Sequence, residues 1–169
     1  MKLIKALKFA TDKHQGQTRK STGLPYITHP MVVQSLINQY KGNSKHIEEL
    51  QISALLHDTL EDTDTSYFEI EREFGSMVAS IVLELTSDEE MILKVGKNTY
   101  LKNKMVSMSK YAFILKLLDR YSNILDNPKE KYVIDTINMM DYLRIQRVLT
   151  ERQLRIVNDI LLVCEDILS

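Results

Sequence analysis

The stretch Ile52-Ser53-Ala54-Leu55-Leu56-His57-Asp58-Thr59-Leu60-Glu61-Asp62-Thr63 constrains this chain more than any other. Its first half is almost wholly apolar; its second half carries a histidine and three carboxylates. An apolar run with no polar face reads as a buried helix. Helical residues advance about 100° each, so on one continuous helix His57, Asp58, Glu61 and Asp62 fall within roughly 140° of arc. Ionised carboxylates on a buried element are costly unless a cation or hydrogen-bond donors meet them. A bound metal ion answers that need. The simpler alternative is acids capping a surface turn beside an ordinary core histidine.

Two other places carry metal-competent residues. His29 lies in Tyr26-Ile27-Thr28-His29-Pro30, where Pro30 suits the first residue of a helix and His29 its cap. Asp119 closes Tyr111-Ala112-Phe113-Ile114-Leu115-Lys116-Leu117-Leu118, a second nearly all-apolar helix ending in an acid.

The rest of the chain is helical by period. Leu3, Leu7 and Ala10 share a face of a helix from Met1 to about His14, and Gln15 to Thr28 is a loop holding Arg19 and Lys20. Long loops in compact domains are more often functional than accidental. A helix from Pro30 buries Val33, Leu36, Ile37 and Tyr40, and the central helix runs from about His46 to Leu60. Ser66 to Glu69 forms a capping box for a short helix ending at Phe74-Gly75, and Ser76 can cap the next, with Val78, Ile81, Val82 and Leu85 inward. The signal weakens from Thr86 to Lys97. Residues 94–110 hold five lysines and no acid, either a solvated face or a basic flank for a phosphorylated substrate. Asn127-Pro128 stops the buried helix, and two helices follow, about 129–149 and 151–168, the last with Leu154, Val157, Leu161, Cys164 and Leu168 on one side. No strand alternation or internal repeat interrupts the pattern, so an all-α bundle of about eight or nine helices is expected.

Bulk properties exclude several classes. At 169 residues the chain is most simply one domain, 1–169. A net charge of −1 supplies no global field for nucleic acid or an anionic membrane. The one cysteine, Cys164, excludes an internal disulfide framework and reads as core packing. Lysines interrupt the N-terminal apolar residues, and no run approaches the ~20 residues of a membrane span. A cytoplasmic protein is expected; its oligomeric state is open.

His29, His57-Asp58 and Asp119, in that order, resemble the metal-ligand pattern of the HD-domain phosphohydrolases. A wider set resembles the hydrolase domain of RelA/SpoT-type proteins, and within it the small stand-alone alarmone hydrolases. It comprises Gly16-Gln17-Thr18-Arg19-Lys20, Gly23 to Pro30, Ala54 to Thr63, Phe74-Gly75 and Leu118-Asp119-Arg120 through Asn123. The resemblance implies an HD-domain helical bundle with His29, His57, Asp58 and Asp119 as metal ligands. Such a mixed nitrogen and oxygen set suits Mn²⁺ and also Fe or Zn; the resemblance implies Mn²⁺, and a single ion, since only His14 and His46 remain for a second. It further gives Glu61 and Asp62 the orientation of the attacking water and the proton transfers. The resemblance also assigns Arg19 to stacking against the nucleobase and Lys20 to the phosphate region.

Asn123, one turn beyond Asp119, can hydrogen-bond a ribose, while Lys116 and Arg120, also one turn apart, can meet phosphates or nearby acids, and Lys94 can meet phosphate. The implied reaction is hydrolysis of the 3′-pyrophosphate of guanosine tetra- or pentaphosphate (ppGpp, pppGpp), degradation without synthesis. Ser122 and Asp126 depart from the common pattern near the implied nucleoside pocket. Three alternatives therefore stand beside it: an HD nucleotidase on nucleoside monophosphates, a hydrolase of adenosine alarmones or a 3′-phosphorylated dinucleotide, and a non-catalytic nucleotide-binding domain stapled by metal.

Overall fold

The computed structural model describes residues 2–169, all of whose secondary-structure elements are α-helical. They are α1 (Lys2–Lys13), α2 (Thr28–Lys41), α3 (Ile47–Leu56), α4 (Thr59–Asp62), α5 (Tyr67–Phe74), α6 (Ser76–Leu85), α7 (Glu89–Val95), α8 (Lys97–Ser107), α9 (Lys110–Ile124), α10 (Glu130–Gln146) and α11 (Glu151–Leu168). Setting aside the four-residue α4 and seven-residue α7, nine helices remain, in accord with the expected all-α bundle. The helices divide into two compact units, one ending at Ser87 and one beginning at Asp88.

In the first unit, α3 is the spine. Ile52, Ala54, Leu55 and Leu56 are all buried, and so is Ser53, whose hydroxyl donates to the Glu49 carbonyl at 2.8 Å instead of facing water. Around α3 pack Ala6 and Ala10 of α1, Ile70 and Phe74 of α5, and Val78, Ala79 and Val82 of α6. Each large aliphatic side chain so buried contributes about 1.5–3 kcal/mol. The α2 face of Val33, Leu36, Ile37 and Tyr40 is buried as its period requires.

Four local expectations change. The helix bearing His29 starts at Thr28, so His29 lies in the first turn and is not the cap; the Thr28 and His29 amides bond back to Pro25 and Tyr26, and Pro30 still falls where a missing N–H costs nothing. The central helix does not run through to Leu60 but breaks at His57-Asp58. There the His57 ring donates from Nδ1 to the Ala54 carbonyl at 2.8 Å and the Thr59 hydroxyl to the Leu56 carbonyl at 2.7 Å. Both side chains compete for carbonyls that the continuing helix would use. Ser66 caps α5 by accepting from the Glu69 amide, but the return half of the box does not form, because the Glu69 carboxylate reaches Lys13 Nζ at 3.3 Å. Gly75, not Ser76, precedes α6, at φ +97°, a conformation that L side chains rarely adopt.

In the second unit, α10 packs on both α8 and α11, and α9 on α11. Asp88 caps the unanticipated α7, accepting from the Met91 amide at 3.0 Å. Arg147 donates to the carbonyls of Met105, Val106 and Met108 at 2.7–2.8 Å and covers the Phe113 ring at 4.0 Å, closing the end of α8. The buried stripe of α11 runs through Gln153, Ile156, Val157, Ile160, Leu161 and Cys164; Leu154 and Leu168, expected on that side, are exposed, with Gln153 of the Thr150–Gln153 capping box buried in place of Leu154. Burial pushes the Cys164 thiol up from its ordinary pKa, as a packing role requires.

Candidate active site

His29 from the first turn of α2 and His57 from the end of α3 meet with Nε2 atoms 3.2 Å apart. Both rings are buried. Because the Ala54 carbonyl can only accept, His57 Nδ1 carries the hydrogen, which in the neutral ring leaves a lone pair on Nε2. That lone pair lies 3.1 Å from Asp58 Oδ2, and His29 Nε2 lies 3.7 Å from the same oxygen. Lone pairs gathered this closely are met by a shared hydrogen, which His29 Nε2 is near enough to supply, or by a metal ion. His29 and His57 stand with Asp58 in the first unit, and Asp119 is buried on α9 of the second. Two imidazoles and a carboxylate form a donor set fit for a divalent ion.

The Asp119 carboxylate is held on α9 by its own helix. Lys116 Nζ pairs with Oδ2 at 2.9 Å, and the Asn123 amide donates to Oδ1 at 2.8 Å and to the Asp119 carbonyl at 3.0 Å. Asn123 lies one turn beyond Asp119, as its spacing requires. Arg120 turns away, donating to the Thr136 hydroxyl at 2.8 Å and lying over the Tyr132 ring.

The break after His57 changes where the other two acids stand. Glu61 and Asp62 do not share the continuous helical arc expected for them; they lie on α4 and are exposed. Glu61 Oε2 accepts from the Ser87 amide at 2.9 Å. Desolvation of the Asp62 carboxyl, reinforced by the charges of Asp58 and Glu61, holds it above the usual carboxylate range.

Sequence reasoning missed the role of Tyr26. Its hydroxyl donates to Asp58 Oδ2 at 2.6 Å and lies 3.3 Å from Asp62 Oδ2. Spacing could not reveal this contact, which spans 32 residues; the only signal was a tyrosine three positions before His29. Gln17 was also missed: its Nε2 donates to the Asp62 carbonyl at 2.8 Å.

Arg19 lies in the tight loop closed by the Thr18–Pro25 bridge, with its guanidinium 5.7 Å from the Tyr26 ring centroid. Lys20 is exposed at the tip of this loop. Lys94, also exposed, approaches Glu90 at 4.0 Å. Lys102 and Lys104 of the basic segment lie over the rings of Tyr142 and Tyr100, which accounts for two of its charges within the second unit.

Residues 6–100 match the model of the HD domain. The chain is 37% identical over 125 residues to the guanosine-3′,5′-bis(diphosphate) 3′-pyrophosphohydrolase MESH1 of Danio rerio, covering 73% of this chain and 68% of that protein. It is also 37% identical over 129 residues to a guanosine-3′,5′-bis(diphosphate) 3′-pyrophosphohydrolase of Aquifex aeolicus, there matching 71% of this chain and 17% of the relative. Among solved structures, it is similar to a metazoan ortholog of SpoT described as hydrolyzing ppGpp, with a TM-score of 0.76 and 27% identity. That match covers 94% of this chain and 93% of the other.

Proposed function

The chain belongs to the HD-domain family, and from that premise we propose that it is a metal-dependent guanosine-3′,5′-bis(diphosphate) 3′-pyrophosphohydrolase. Water is added across the bond between the ribose 3′ oxygen and its phosphorus, giving pyrophosphate and GDP, or GTP from the pentaphosphate. The observation that carries this reading is the buried His29–His57 pair facing Asp58 Oδ2, a donor set that fits a cation.

In this reading His29, His57, Asp58 and Asp119 hold one divalent ion, with Mn²⁺ as the expected metal. Such an ion, when bound, polarises a phosphoryl oxygen and lowers the pKa of water. Glu61, steadied by the Ser87 amide, orients the attacking water and takes its proton. Asp62, its carboxyl held above the usual range, handles the proton that passes to the departing 3′ oxygen. Arg19 already lies over an aromatic ring, the kind of contact a purine face offers, and so serves the base. Lys20, Lys94 and Lys116 answer phosphate charge, and Asn123 the ribose. That residues 1–169 act as one HD domain belongs to the same proposal, as does a cytoplasmic setting. No described helix is long and apolar enough to cross a membrane.

Incubation with ppGpp and Mn²⁺ is expected to release pyrophosphate, and Asp58→Ala or Glu61→Ala to lower the rate by roughly 100-fold or more. Pyrophosphate release that survives both substitutions overturns the reading. Orthophosphate from nucleoside monophosphates, with ppGpp left intact, would identify a phosphatase instead.

A further inference from the structure

Asp58 and Asp62 are joined through one phenol. Tyr26 donates to Asp58 Oδ2 at 2.6 Å, the length of a charge-assisted O–H···O⁻ bond, and lies 3.3 Å from Asp62 Oδ2. A phenol has one hydrogen, so the short contact fixes it on Asp58. The accepting oxygen is the same one that faces the two imidazoles. We infer that Tyr26 is a positioning residue: its hydrogen bond sets the rotation of the Asp58 carboxylate toward the cation. This rests on the proposed reading of the site.

The ring is held by its own surroundings. The His14 ring lies 4.7 Å from it, centroid to centroid, tilted by 33°, and the His29 ring 6.1 Å away, edge to face. The Tyr26 amide donates to the Gln17 carbonyl at 3.0 Å. Gln17 in turn accepts from His14 Nδ1 at 2.8 Å through Oε1, and donates through Nε2 to the Asp62 carbonyl. One loop therefore grips α4 at both ends, by the Asp58 side chain just before it through Tyr26 and by the Asp62 backbone through Gln17. His14 Nε2 is buried with no hydrogen-bond partner. An orphaned buried nitrogen is costly, and it is tolerated here where the ring serves as a wall behind Tyr26.

A ligating carboxylate that loses its supporting hydrogen bond typically loses about 10–100-fold in metal affinity. The test is Mn²⁺ affinity by calorimetry without nucleotide, with kcat and KM for ppGpp measured separately. Tyr26→Phe is expected to weaken Mn²⁺ binding about tenfold or more and to lower kcat, leaving KM within about twofold, since the phenol is not assigned to substrate. Replacing Tyr26 by 4-aminophenylalanine, which keeps a donor at that place, is expected to restore most of the affinity. Where the Phe variant does not fold, 4-fluorophenylalanine, near the size of tyrosine without its hydrogen, makes the same comparison. Affinity within twofold of the parent in the donor-less variants, or an aminophenylalanine protein no better than they are, overturns the inference alone. A parent that binds no Mn²⁺ overturns the reading of the site and the inference with it.

Discussion

A single oxygen, Asp58 Oδ2, shows how much the site depends on individual atoms. It receives the Tyr26 hydroxyl and stands 3.1 Å from the His57 Nε2 lone pair. The lone pair faces it because the Ala54 carbonyl holds His57's hydrogen on Nδ1. Away from the site, Glu73 offers a direct residue-scale check of the charges. Lys5 Nζ at 2.7 Å and Arg72 Nε at 2.8 Å hold its carboxyl below the ordinary glutamate value, with the Lys5 contact the larger cause. A folded pKa below the unfolded one means stability present above the unfolded value and lost as pH falls through the folded one. The carboxyl-carbon titration of Glu73 by NMR should show a midpoint below that of a free glutamate, and Lys5→Met should move it upward. A midpoint unchanged by the substitution would count against the pairing.

Among the elements, the His57-Asp58 break and the α5–α6 junction carry the local rules. A nearly unbroken apolar run located α3 and α9, because a helix buried on every side keeps no polar face. It did not locate the break, which arises where His57 and Thr59 side chains compete for the carbonyls of Ala54 and Leu56. Nor could it reveal that Glu69 would leave its own capping box for Lys13, a residue of another helix. At the α5–α6 junction, Gly75 has open space where a Cβ would stand, so its requirement is conformational and not steric. Gly75→Ala is expected to cost about 1–3 kcal/mol in urea unfolding, against about 1 kcal/mol for Ser66→Ala, which removes only the α5 cap. Equal stability of Gly75→Ala and the parent would contradict the backbone assignment.

For the whole molecule, metal binding and stability are linked. An ion held by the folded chain and not by the unfolded one raises stability by about 2.7 kcal/mol at 100 times its Kd, or several degrees in melting temperature for a chain of this size. Mn²⁺ should therefore raise the Tm, a chelator should reverse the rise, and His29→Ala should abolish it. A shift that persists in His29→Ala would place the ion elsewhere. The sequence by itself determined the all-α class, the buried character of the segments ending in His57 and Asp119, and the residue types able to hold a metal. Burial and donor chemistry are properties of side chains and their local spacing. Only the tertiary structure decided that His29 meets His57 across 28 residues, and that Tyr26 reaches Asp58 and Asp62. Those meetings depend on how α2 packs against α3 and where the loop from Gln15 closes, and helical period encodes neither distance.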